Sequence, residues 1–203
     1  TDRPVSSYAD ATGAKLADEY SNKVTVGGLS AGVSYTYRVG GGTAWSKNYT
    51  FTPQSAADGF SFAAFGDPQV GASGNLANDT AGWANTLKKV TGKYPALNFL
   101  YTMGDQVNDY DHLCTQQKEY AAFFSPDASA GYLQTHPLAA YSGNHDFQMG
   151  KYFSYHYNLP NLSALGQTVT NNVADDNGDF WFRYGNTLFL NLEGNNFYDV
   201  SAH

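Results

Sequence analysis

Three apolar runs in this sequence each stop at a glycine followed by a polar side chain able to hold a cation. Phe60 to Phe65 ends at Gly66-Asp67, Leu97 to Met103 at Gly104-Asp105, and Pro137 to Tyr141 at Gly143-Asn144. Short runs of this kind, bounded by turn residues, read as strands. Between the first two, Trp83, Leu87, Val90 and Tyr94 fall at intervals of 4, 3 and 4. That spacing is one helical face, with a cap expected near Asn78 or Asp79. A second helix is expected over Gln116 to Phe124. In open α/β sheets, ligands gather in the crevice beyond the carboxyl ends of the strands. A glycine there lets the backbone turn sharply and come close to a ligand. A single Gly-Asp pair is more often a turn than a ligand. Repeated at three strand-like ends, the pattern would converge oxygen donors on one spot.

The rest of the chain reads differently. Lys23 to Val26, Ser34 to Val39 and Asn48 to Thr52 alternate apolar and polar residues, with Gly-rich turns at Gly27-Gly28 and Gly40-Gly41-Gly42. They predict antiparallel strands of a β-sandwich, too few to close one, with a further edge strand within residues 1–20. Gln54 to Gly59 is a polar connector, so the expected division is residues 1–55 and residues 56–203. Phe180 to Tyr184 and Leu188 to Leu192 flank Gly185-Asn186 and predict a β-hairpin. Tyr155-His156-Tyr157-Asn158 alternates like a strand, and His156 in it reads as structural.

Composition narrows the function classes. The 203 residues are 42% hydrophobic and only 14% charged, which suits a packed core rather than disorder. Lysine and arginine number 11 against 18 acids, and there is no basic run, so a nucleic-acid partner is not expected. No apolar run approaches the length that spans a bilayer, so membrane insertion is not expected either. Cys114 is the lone cysteine, which excludes an internal disulfide. Few lysines beside many Tyr, Asn and Thr suit an exported protein, at the cell surface, in the periplasm or outside the cell.

Gly66-Asp67-Pro68-Gln69, Gly104-Asp105-Gln106-Val107-Asn108 and Gly143-Asn144-His145-Asp146 resemble the first three motifs of the calcineurin-like metallophosphoesterases. Val24 to Leu29, Tyr35 to Gly40, Trp45-Ser46 and Tyr49 to Thr52 are similar to the end of the fibronectin-type-III-like domain of purple acid phosphatases. The implied fold is an α/β metallophosphoesterase-type β-sandwich flanked by helices, represented by its N-terminal half and preceded by part of that fibronectin-like sandwich. By this resemblance Asp67 would bind a first metal ion, Asp105 would bridge two, and Asn144 would bind the second. His145 would contact phosphate and help to protonate the leaving oxygen, with Asp146 orienting its ring. Two ions roughly 3.5–4 Å apart would clamp phosphate oxygens and acidify a bound water.

Two departures bear on the metals. Purple acid phosphatases carry a tyrosine where Asn108 stands, so the purple iron–tyrosinate centre is not expected, and iron, manganese or zinc all fit. Many relatives have a histidine where Gln69 stands; Gln69 would reach the first metal through its amide oxygen or hydrogen-bond nearby. His112 could border the cleft. A later strand-end histidine and a Gly-His-x-His motif, which complete the family's site, have no counterpart after Asp146. His136 lies before the third motif, out of order for such a role. Glu193 reads as packing or a turn, and His203 is the last residue. The chain is therefore expected to be an internal fragment, inactive alone, whose partner would be the missing C-terminal half. The expected activity of the parent is phosphomonoester hydrolysis. The alternatives are a non-catalytic cell-surface binding module, or a phosphodiesterase or nucleotidase of the same fold.

Overall fold

The computed structural model describes residues 2–4, 20–126, 131–147, 152–162 and 179–192. Its centre is a three-stranded parallel sheet of β7 (Phe62–Phe65), β8 (Phe99–Met103) and β9 (Leu138–Tyr141), in that spatial order. Phe62 pairs with Phe99, and Leu100 with Leu138. Parallel neighbours need a crossover rather than a tight turn. Helix α1 (Leu76–Lys93) makes the first crossover; α2 (Leu113–Phe124) and α3 (Tyr132–Thr135) lie along the second. All three strands therefore deliver their carboxyl ends to the same edge of the sheet, with β8 in the middle.

Two faces of β8 bury two different layers, because side chains alternate across a strand. Leu100 and Thr102 lie on the helix side and are fully buried with Trp83 and Leu87 of α1 and Leu113, Tyr120 and Phe123 of α2. Trp83 stacks on Phe123 at 5.3 Å and donates its indole N–H to the Phe123 carbonyl at 3.1 Å. Each fully buried leucine or phenylalanine of this set stabilises the fold by roughly 1.5–3 kcal/mol. Phe99 and Tyr101 point the other way. There Phe99 stacks flat on Phe62 at 5.0 Å. Phe189 meets both edge-on from the hairpin of β10 (Phe180–Tyr184) and β11 (Thr187–Asn191). Three layers result: helices, parallel sheet, hairpin. No helix among the described residues is long and apolar enough to cross a membrane.

Helix α1 starts earlier than its periodicity suggested. Asn75 is the cap, accepting from the Asn78 N–H, and Asp79 lies inside the first turn. Asp79 accepts instead from Gly71 N–H and Ser73 N–H; its pKa is lowered chiefly by the Ser73 side chain and further by these two bonds. Trp83, Leu87 and Val90 face the core, whereas Tyr94 follows the last turn and is exposed.

Residues 2–4 and 20–52 form small pieces of sheet. β1 (Asp2–Pro4) pairs with β2 (Tyr20–Asn22), β3 (Tyr35–Tyr37) with β6 (Tyr49–Phe51), and β4 (Gly40–Gly41) with β5 (Ala44–Trp45), all antiparallel. None of these sheets closes. The strand expected over Lys23 to Val26 does not form. Val24 and Val26 are both exposed, so their alternation buries no face and gains nothing from pairing. The Gly40-Gly41 stretch, read as a turn, supplies a short strand of its own. The strand expected at Tyr155 to Asn158 is also replaced: Tyr152–His156 is helix α5, preceded by the short helix α4 (Asn144–Phe147). Tyr155 and Tyr157 are buried as the alternation required, but on a helical end that packs against α2.

Candidate metal centre

The strand ends do more than stop. Past β7 and β8 the two chains stay paired: Gln69 N–H donates to the Asp105 carbonyl at 2.8 Å, Val70 N–H to Gln106 at 3.1 Å, and Asn108 N–H back to Val70 at 3.1 Å. Asp67 and Asp105 sit at the kinks between strand and continuation, with φ of +42° and +46°. Such values are uncommon outside glycine, and Asp and Asn tolerate them best. Gly104 and Gly143 permit the closeness of β8 and β9. A Cβ on Gly104 would meet the Gly143 Cα at 2.6 Å, and one on Gly143 would meet Asp105 Oδ1 at 2.1 Å.

Asp67, Asp105 and Asn144 line one open cleft together with Met103, Tyr141, Ser142 and Gly143. The structure thus brings together the three residues that sequence spacing suggested as metal ligands. Asp67 is exposed, Asp105 buried and Asn144 exposed. Asp105 Oδ1 accepts the His145 N–H at 2.9 Å. Among the described residues, no three or more His, Cys, Asp or Glu side chains form a group able to hold a metal ion. The set here has two carboxylates, and its third donor is an amide.

The His145 ring is held differently from what its neighbour suggested. Its Nδ1 meets the Asn108 main-chain carbonyl and its Nε2 lies 3.1 Å from Gln69 Nε2. Tyr110 meets the ring edge-on at 5.1 Å. Asp146, expected to orient that ring, has other work. It is fully buried and accepts from Tyr120 O–H at 2.6 Å, Gly143 N–H at 3.0 Å and Gln106 N–H at 3.4 Å. Burial pushes its carboxyl up to about 7, although those hydrogen bonds oppose the rise. Asp146 therefore ties the turn after β9 to β8 and α2. An acid that immediately follows a histidine on a helical turn points away from it, which accounts for the change of partner.

Gln69 lines a second hollow beside the first, with Asp67, Ser73, Asn78 and Asp79. Asn108 contributes its backbone to the site. His112 caps the exposed start of α2, with its ring against Asp109 at 3.2 Å, and the cleft lining does not include it. His136 ends α3 against the Tyr132 carbonyl. His156 packs on Tyr120 at 3.9 Å, a structural role. Glu193 and His203 lie outside the described residues.

Sequence reasoning missed Glu119 and Gln116. Glu119 accepts Asn108 N–H at 3.0 Å and Asp109 N–H at 2.7 Å, fixing the loop that presents the Asn108 carbonyl. Burial raises its pKa against those bonds. Gln116 donates to the carbonyls of Asp109 and His145. A signal existed. Gln116 shares the buried helical face of Leu113, Tyr120 and Phe123, and a polar residue on such a face needs partners.

No family model matches the chain, and no curated protein and no solved structure matches it.

Proposed function

We propose that the chain carries part of a two-metal phosphoesterase centre, acting on phosphomonoesters. The observation that supports this reading is the meeting of Asp67, Asp105 and Asn144 in one cleft, each from the end of a different parallel strand. Asp67 would hold one ion, Asp105 both and Asn144 the second. Ions of iron, manganese or zinc would supply the charge that clamps phosphate oxygens and acidifies water.

The donors suit that purpose. All three offer oxygen, and one is neutral, which limits negative charge where a phosphate must enter. Asp105 comes from the central strand, between those carrying Asp67 and Asn144, as a shared ligand requires. Its Oδ1 is aimed by the His145 N–H, and the space that the missing Cβ of Gly143 leaves lets it lie there. His145 follows Asn144 and would contact a phosphate or a leaving oxygen once its ring leaves its partners, the Asn108 carbonyl and Gln69. Three donors fall short of the about four that a structural site uses. His112, His136 and His156 stand elsewhere, so the remaining ligands would come from outside the described residues, and metal affinity in this chain should be weak.

The test is calorimetric titration of the protein with zinc and manganese, beside hydrolysis of a chromogenic phosphate ester with each metal and with iron added. Asp105→Ala and Asn144→Ala should each lower metal affinity by about tenfold or more. Metal binding or hydrolysis that survives both substitutions would sink the reading.

A further inference from the structure

His145 is engaged by the protein at both ring nitrogens. A main-chain carbonyl can only accept, so Nδ1, facing the Asn108 carbonyl, carries the proton. The side-chain nitrogen of Gln69 can only donate, so Nε2, 3.1 Å from it, offers its lone pair. Both partners are themselves fixed. The Asn108 backbone is held by the Glu119 carboxylate and by Val70. Gln69 has φ of +40°, donates its own N–H to the Asp105 carbonyl, and is followed by the fully buried Val70. Its side chain is thus directed at the ring by backbone tied to the strand end that bears Asp105.

We propose that Gln69 is a positioning residue for His145. It holds the imidazole in the Nδ1–H form with its plane fixed, and it is not a ligand to an ion in the cleft. The purpose of such a clamp rests on the phosphoesterase reading, in which it would hold the ring ready at the strand end; to meet a phosphate oxygen, Nε2 must give up the Gln69 amide and take up a proton. The clamp itself is a property of the chain without metal. Gln69 is absent from the lining of the cleft that holds Asp67, Asp105 and Asn144, and meets Asp67 only in the neighbouring hollow.

The experiment uses the protein labelled with ¹⁵N-histidine at pH 7.5, without metal. Five histidines are present, and His145→Gln identifies the His145 signals by their loss. In the unsubstituted protein His145 should show one protonated nitrogen, Nδ1. The informative variant is Gln69→Asn, which keeps an amide and tolerates positive φ but is one methylene too short. Its His145 signals should move toward a mixture of the two tautomers, with the fold intact by circular dichroism and melting. Zinc affinity by calorimetry should change less than about twofold, well below the tenfold or more expected for loss of an aligned partner. The proposal is overturned by an Nε2–H ring in the unsubstituted protein, by His145 signals unmoved in Gln69→Asn, or by a tenfold loss of zinc affinity in that variant. If zinc binds neither protein, the tautomer alone decides the role of Gln69, and the phosphoesterase reading is judged by the Asp105→Ala and Asn144→Ala titrations with manganese and iron.

Discussion

Replacing His156 by phenylalanine should alter how stability depends on pH. The ring lies against Tyr120 at 3.9 Å and Phe124 at 5.8 Å, and burial lowers its pKa from 6.5 to about 3. The folded state therefore keeps the ring neutral where the unfolded chain protonates it. Its contribution is complete above the unfolded value and is lost as pH falls toward 3. One proton corresponds to about 1.36 kcal/mol per pH unit, so between pH 7.5 and pH 4.5 the loss reaches about 2.7 kcal/mol as an upper figure, some of the residue remaining accessible.

Asp146 acts in the opposite sense. Its carboxyl is raised from 3.8 to about 7, so its contribution is present at low pH and lost as pH rises through 7. Over the shared window these two proton uptakes oppose one another. His156→Phe removes one of them while keeping an aromatic ring on Tyr120. Urea unfolding of both metal-free proteins from pH 7.5 to 4.5 is the assay. The variant should gain about 2.7 kcal/mol relative to the unsubstituted protein across that range, whatever their difference at pH 7.5. A difference that stays constant with pH would refute the reasoning.

Other substitutions test the packing of the site. Gly143→Ala places a Cβ 2.1 Å from Asp105 Oδ1 and 2.4 Å from its main-chain nitrogen, so backbone must shift. It should cost about 1–3 kcal/mol, seen as a melting temperature lower by several degrees. Glu119→Ala removes the acceptor of the Asn108 and Asp109 N–H groups. It should cost about 1–3 kcal/mol in urea unfolding and speed hydrogen exchange at Asp109. Tyr120→Phe deletes the hydroxyl that Asp146 accepts and should cost about 1–3 kcal/mol by the same unfolding assay, with no change in helix content by circular dichroism.

The three strand ends could be read in advance because strand length, glycine and a following polar residue are all local signals. Their assembly into one cleft also follows, since successive parallel strands joined by helices share an edge. The small sheets of residues 20–52 were less legible. Val24 and Val26 alternate as well as Tyr35 to Tyr37 do, and only the availability of a partner strand separates them. His156 fell on the wrong element because its aromatic neighbours suit either period over so few residues. The partners of His145 were hidden for another reason. Asn108 acts through a carbonyl that every residue has, and Glu119 through a loop folded back from α2, so neither role leaves a mark in residue type. Gln69 could be placed near the site, but not which of its amide atoms would face what.

The pairing that continues beyond β7 and β8 has a thermodynamic consequence for any ligand of the cleft. Asp67 and Asp105 are each followed by residues bonded across the same two chains, Gln69 and Val70 to Asp105 and Gln106. Their backbone is immobilised on both sides when the sheet forms. The backbone share of the conformational entropy of aligning these two carboxylates is thus spent in folding, at about 1–2 kcal/mol for each residue. An arriving ion would owe that much less, and the weak affinity expected of three donors would reflect their number rather than their disorder.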